Sequence, residues 1–172
     1  MPRRALTAHR SGRVWWAGAA LEEALREAQR AFPLETGGLL LGWSPHPGAV
    51  VISQVIGPGP QADHHAASFT PDAPWQEEQL ATAYEQAGRR LNYLGDWHTH
   101  PRGSVRLSGT DRATLRRIAG HPAARAPHPV MALLAGGPLW HVAVRQQFRR
   151  CGGARRLALE VWEPPPIEAP YG

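Results

Sequence analysis

Apolar residues recur at helical spacing over residues 18–32, where Leu21, Leu25, Ala28 and Phe32 share a face and Glu22, Glu23, Arg26 and Arg30 lie between them. With Pro33 as a stop, this pattern predicts an amphipathic helix. Next comes the run Gly37-Gly38-Leu39-Leu40-Leu41-Gly42, continuous and fenced by glycines, and then the β-branched run 49–56, which ends at Gly57-Pro58. Both read as strands. Residues 57–74 are rich in Gly, Pro, His and Ala without a period, and predict a long loop, which in a compact domain is often functional.

A second helix is expected over 75–91, with Leu80, Tyr84, Ala87 and Leu91 on one face. Residues 92–100 read as a strand broken by Pro101-Arg102-Gly103. A short third helix, 109–120, places Leu115, Ile118 and Ala119 together. Two apolar runs, 130–135 and 139–144, are split by Gly136-Gly137-Pro138 and suggest a hairpin. A last strand, 157–162, precedes a Pro-rich tail over 163–172 that should be extended and loosely held. Strands interleaved with helices imply an α/β domain of three layers, one mixed sheet with flanking helices, whose strand order this pattern leaves open.

Composition narrows the class. The chain has 172 residues, of which 42% are hydrophobic and 19% charged, enough for one buried core and unlike a disordered chain. A single domain over 1–172, with its core over about 14–162, is the expectation. No apolar run reaches the length of a membrane span, and the basic N-terminus has no apolar segment directly after it, which argues against a membrane span or a secretory signal. Cys151 is the lone cysteine, so an internal disulfide and a thiolate zinc cage are both excluded, and a cytoplasmic location is expected. It sits in an Arg- and Gly-rich stretch with no nucleophile signature, and no G-x-S-x-G occurs. The formal charge is +5, and all 19 basic residues are arginine. Because these arginines are spread along the chain, with modest clusters at Arg3 to Arg13 and Arg145 to Arg156, a solvated basic surface is favoured over a nucleic-acid site.

The chemistry concentrates in Trp97-His98-Thr99-His100-Pro101, followed by Ser108-Gly109-Thr110-Asp111. Alternate residues of a strand face the same side about 7 Å apart, so His98 and His100 can offer two imidazoles to one ion. Asp111, opening the third helix, supplies a third donor if the chain folds back. Two histidines and a carboxylate are a donor set of the kind found in catalytic zinc sites, which keep a fourth position for water. Each part also has a plainer reading: a hydrogen-bonded histidine pair on a strand, a helix capping box for Ser108-x-x-Asp111, a solvated carboxylate for Glu35. The pair His64-His65 in the long loop reads as solvent-facing.

Taken together, Glu35 before the glycine-fenced strand, His98-Thr99-His100-Pro101, then Ser108 and Asp111 resemble the pattern of the JAMM (MPN+, or JAB) zinc metalloproteases, over about residues 14–162. The resemblance implies the JAB/MPN, cytidine-deaminase-like fold. It implies His98, His100 and Asp111 as zinc ligands, Glu35 as the general acid/base toward the zinc-bound water, and Ser108 as a hydrogen-bond donor to the tetrahedral intermediate. It also implies an isopeptidase or peptidase that cuts after the C-terminal Gly-Gly of a ubiquitin-like protein. The short form looks like the prokaryotic branch, whose members are associated with ubiquitin-like conjugation or sulfur-carrier systems. Expected partners are therefore a ubiquitin-like or sulfur-carrier protein with a Gly-Gly tail and E1-like or E2-like enzymes, with residues 57–74 as the suspected substrate-binding loop. The alternatives are a zinc peptidase acting on a sulfur-carrier protein or its adduct, and a non-catalytic binding scaffold of the MPN type.

Overall fold

A computed structural model describes residues 12–148 and 152–163. The stretches carrying Arg3, Arg4, Arg10, Arg149, Arg150, Cys151 and most of the Pro-rich tail lie outside the described residues. The chain opens with strand β1 (Arg13–Ala17), which runs directly into helix α1 (Gly18–Ala31). There follow β2 (Gly37–His46), β3 (Ala49–Ile56), two two-residue strands β4 (Asp63–His64) and β5 (Phe69–Thr70), helix α2 (Ala73–Gln86) and β6 (Asn92–Pro101). Helix α3 (Gly109–Gly120), β7 (Val130–Gly136), β8 (Trp140–Gln147), β9 (Ala154–Arg156) and β10 (Ala158–Trp162) complete the described elements apart from a 3-10 turn at Pro122–Ala124.

Eight strands form one mixed sheet in the order β10-β1-β3-β2-β6-β7-β8-β9. The chain passes from β9 at one end of this order to β10 at the other through Leu157 alone. The Leu157 N–H donates to the Val144 carbonyl at 2.9 Å and the Ala158 N–H to the Gly12 carbonyl at 2.8 Å, so the sheet curls until its two ends meet at a buried leucine. On one face, Ala20, Ala24 and Ala28 of α1 pack with Val14, Trp16, Trp97 and Leu134. On the other, Leu115 of α3 packs with Leu107, Met131 and Leu133. The small residues on the buried stripe of α1 let that helix lie close to the sheet, while β7, buried from Val130 to Ala135, is apolar throughout because both its faces are covered.

The observed elements differ from the sequence pattern in four places. Strand β1 has no counterpart in the expected set, because five residues that enter a helix without a turn residue leave no boundary signal. The loop over 57–74 contains the β4–β5 pair, with Asp63 opposite Thr70 and His64 opposite Phe69. Helix α2 starts and ends early. Of its residues only Gln76 is buried, and Leu91, expected on its face, is instead a buried residue just before β6. Finally, Ala154–Arg156 adds β9 to the edge beside β8.

Candidate functional site

Strand β6 lies antiparallel to β2, with Gly37 opposite His98, and parallel to β7, with His98 beside Leu133 and His100 beside Ala135. His98 and His100 therefore project to the face covered by α3, and Trp97 and Thr99 to the face covered by α1. Thr99 is fully buried there and ties β6 to the residue after Glu35. The Thr36 N–H donates to Thr99 Oγ1 at 2.9 Å, Thr99 Oγ1 donates to the Thr36 carbonyl at 3.3 Å, and the Thr99 N–H donates to the same carbonyl at 2.8 Å.

Gly37 is required at this crossing. A Cβ there would fall 2.6 Å from Phe69 Cζ and 2.7 Å from His98 Cβ, and closer still to the Trp97 carbonyl. The glycine fence before β2 thus leaves the space that His98 and the ring of Phe69 occupy.

Asp111 reaches the histidines from the first turn of α3. Its position is set by a capping box: the Ser108 N–H donates to Asp111 Oδ2 at 2.6 Å and the Asp111 N–H donates to Ser108 Oγ at 3.1 Å. The helix-cap reading and the donor reading hold together, since Asp111 Oδ1 lies 3.2 Å from His98 Nε2 and Oδ2 lies 3.6 Å from His100 Nε2. Burial by itself raises the pKa of this carboxyl, but hydrogen bonding with His98, the charge of that imidazole and the bonds from Ser108 outweigh it and bring it down to about 2. Asp111 is a carboxylate at any ordinary pH.

The two imidazoles face each other with Nε2 atoms 3.0 Å apart. His100 Nδ1 sits 2.9 Å from the Ser104 carbonyl, which can only accept, so Nδ1 carries the proton and a neutral His100 keeps its Nε2 lone pair for the centre. His98, His100 and Asp111 each offer a donor atom within 4.8 Å of the others. Two imidazole nitrogens and one carboxylate oxygen, converging and oriented from outside, fit a divalent metal.

Glu35 stands at the same end of the sheet, half-buried. Burial raises its pKa, the nearby His98 and His100 pull it back, and Asp111 raises it again, leaving it above its ordinary value. Its main chain is held on both sides by the loop: the Glu35 N–H donates to the His65 carbonyl at 2.7 Å, and His64 Nδ1 donates to the Glu35 carbonyl at 2.8 Å. The solvent-facing reading of His64-His65 is correct for the His65 ring, which is exposed and paired with Asp63, and incorrect for His64. The His64 ring is partly buried and stacks on Phe69 at 6.4 Å between centroids. Its position two strands and a turn away from Glu35 in sequence gave no signal of this contact. Thr36 and Thr99 likewise lie outside the expected set, although Thr99 sits inside the His-x-His motif. Ser108 is exposed, and its oxygen accepts from the Asp111 N–H.

The comparisons with known proteins follow the same lines. Residues 18–151 match the model of a family described as prokaryotic homologues of the JAB domain. The chain is 41% identical over 141 residues to "Probable metalloprotease y4qB" of Sinorhizobium fredii, covering 80% of this chain and 86% of that protein. It is 31% identical over 121 residues to "CD-NTase/cGAS isopeptidase" of Enterobacter hormaechei, covering 69% of this chain and 64% of that one. With a protein of the same name from Pseudomonas aeruginosa it shares 32% identity over 103 residues, 59% of this chain and 63% of the relative. This chain therefore spans a little less than two thirds of each of these last two relatives. The solution structure of protein DSY2949 from Desulfitobacterium hafniense superposes with a TM-score of 0.65 at 20% identity, over 88% of this chain and 94% of that one, a likeness of fold.

Proposed function

Because the chain belongs to the family of prokaryotic homologues of the JAB domain and is a metalloprotease, we propose that it is a zinc-dependent isopeptidase that hydrolyses the amide bond after the C-terminal Gly-Gly of a ubiquitin-like protein. The observation that carries this reading is the convergence of His98, His100 and Asp111 beside a glutamate whose pKa is raised by burial. The isopeptidase names of two relatives support the type of bond. Residues 14–162 act as one domain in this reading.

His98, His100 and Asp111 would hold the zinc, which when bound supplies Lewis acidity, making water nucleophilic near neutral pH and polarising the scissile carbonyl. Glu35 accepts a proton from the attacking water and passes it to the leaving amine nitrogen, so that the C–N bond breaks to a carboxylate and a free amine. Ser108 O–H donates to the carbonyl oxygen as negative charge develops there. Thr36, Thr99 and the His64-His65 pair hold Glu35 in place against the histidine strand.

Residues 57–74 would order the substrate tail. The β4–β5 pair is a two-stranded sheet standing beside Glu35, and an extended tail can add to such an edge by main-chain pairing. Glycines suit this approach because a side chain would collide with the walls.

The test is hydrolysis of a peptide ending in Gly-Gly that is joined through its carboxyl to a lysine ε-amine, compared with the same probe carrying Gly-Leu. Fast release from Gly-Gly only, abolished by a chelator and restored by zinc, is the expected result. Equal release from both probes would overturn the tail specificity, and release that survives complete chelation would overturn the metal mechanism.

A further inference from the structure

Besides Arg102, whose guanidinium lies over the Phe32 ring, four arginines stand around the segment that joins His100 to Ser108. Arg106 lies within it and is exposed. Arg145 of β8 reaches it from the sheet, donating from Nη2 to the Val105 carbonyl at 3.4 Å. Arg112 of α3, next in sequence to Asp111, donates from Nη1 to the Ser108 carbonyl at 3.2 Å. Arg156 of β9 is directly opposite Arg145 in the β8–β9 register, so the two side chains leave the same face as neighbours.

This arrangement is unfavourable in the protein alone. Like charges directly opposite across two strands repel, and a guanidinium normally takes a carboxylate when one is near. Among the described residues, none of Arg106, Arg112, Arg145 and Arg156 has an ion pair. Asp111, the carboxylate next in sequence to Arg112, is engaged with His98 and Ser108. Arg145 Nε is buried with no hydrogen-bond partner. The pKa of Arg145 is lowered by burial and then by Arg156 and Arg112, which agrees with three guanidiniums crowded without a counter-charge.

We propose that Arg112, Arg145 and Arg156, with Arg106 beside them, form a docking site for an acidic segment of the protein substrate, whose carboxylates pair with these guanidiniums while its tail lies in the site. This rests on the reading of the protein as an isopeptidase and names a property of its substrate. The cluster borders the segment that supplies the Ser104 carbonyl to His100 and carries Ser108, so a folded protein presenting its tail at the site lies close to it. A nucleic acid would require a longer stripe of positive charge to follow its regularly spaced phosphates. Side-chain carboxylates match the compact group and accept bidentate bonds from guanidinium.

The test uses the whole chain and a fluorescein-labelled peptide of alternating Glu and Gly, with a Gln-Gly peptide and a single-stranded oligonucleotide of equal charge as references. Binding of the Glu-Gly peptide should weaken as salt is raised and should be weakened at least about tenfold by Arg156→Gln and by Arg156→Glu. Thermal unfolding separates a docking role from a structural one. Removal of the Arg145–Arg156 repulsion should raise Tm slightly with Gln and further, by about 1–3 °C, with Glu, which offers Arg145 a partner. Unchanged peptide binding in Arg156→Gln, or weakened binding accompanied by a lower Tm, overturns the proposal. Oligonucleotide binding about tenfold tighter than peptide binding would reassign the patch to nucleic acid. Zinc content and Gly-Gly cleavage are measured separately on the unmodified chain, so a failure of the isopeptidase reading is not confused with a failure of acidic docking.

Discussion

Thr36 and Thr99 are joined by three hydrogen bonds, and this pair couples the backbone beside Glu35 to the residue between His98 and His100. Both are fully buried, on the face of the sheet opposite the histidines. Glu35, the proposed proton-transferring group, and two of the three candidate metal donors are thus held in one frame by residues that lie outside the donor cluster. Thr99→Val removes the hydroxyl while nearly preserving shape and leaves the Thr36 N–H without its partner, at a cost of about 1–3 kcal/mol. Thr99→Ser should recover most of that stability. Denaturant unfolding of the two variants checks this, and a loss in Thr99→Ser without one in Thr99→Val would point to the methyl group instead.

Zinc should be present at about one equivalent per chain and should be lost from His98→Ala and from His100→Ala, as measured by elemental analysis. Its removal by a chelator should lower Tm, because a ligand that binds only the folded state stabilises it by mass action. Full zinc occupancy in both histidine variants would remove them from the ligand set.

Asp111 completes the helix cap and is a proposed metal ligand, and substitution can separate the two roles. Asp111→Asn keeps an oxygen for the Ser108 N–H and should retain the helix cap while weakening metal binding. Asp111→Ala should lose the metal and a further ~1 kcal/mol of stability from the cap. Comparison of the metal-free variants by unfolding isolates the cap from the metal.

Glu35→Gln should keep the fold and the zinc and reduce turnover by about 10²–10⁴-fold, because an amide cannot accept the proton from water. His64 acts on the same residue through its carbonyl. His64→Ala should lower kcat by about tenfold with a smaller change in KM, and His64→Asn, which can donate in the same direction, should restore much of the loss. Excision of residues 61–68 removes both loop contacts to Glu35, so it should lower kcat/KM without removing zinc. Kinetics on the Gly-Gly probe, read beside zinc content, checks all of these.

Gly37→Ala should destabilise the protein and weaken metal binding together, since the added carbon meets the Trp97 carbonyl, Phe69 and His98. Gly57→Ala is the matched control, as nothing lies within 4 Å of the position its Cβ would take. If both substitutions are equally mild by unfolding and zinc content, the packing around His98 is looser than the geometry indicates.

The convergence of His98, His100 and Asp111 was legible in the sequence because its information is local. Period two along a strand brings His98 and His100 to one side whatever surrounds them, and Ser108-x-x-Asp111 is a cap signal readable within one helical turn. Glycine fences and apolar runs likewise marked α1, β2, β3, β6, α3 and the β7–β8 pair. Tertiary structure alone decided what lies between distant segments: β1 beside both β3 and β10, His64 on the carbonyl of Glu35, Thr36 on Thr99, and Arg156 opposite Arg145. None of these contacts has a period or a short spacing, because each is created by sheet register and by the curl that brings the two ends of the sheet together at Leu157. Side-chain chemistry can therefore be read along the chain, whereas the frame that aims it depends on which strands become neighbours.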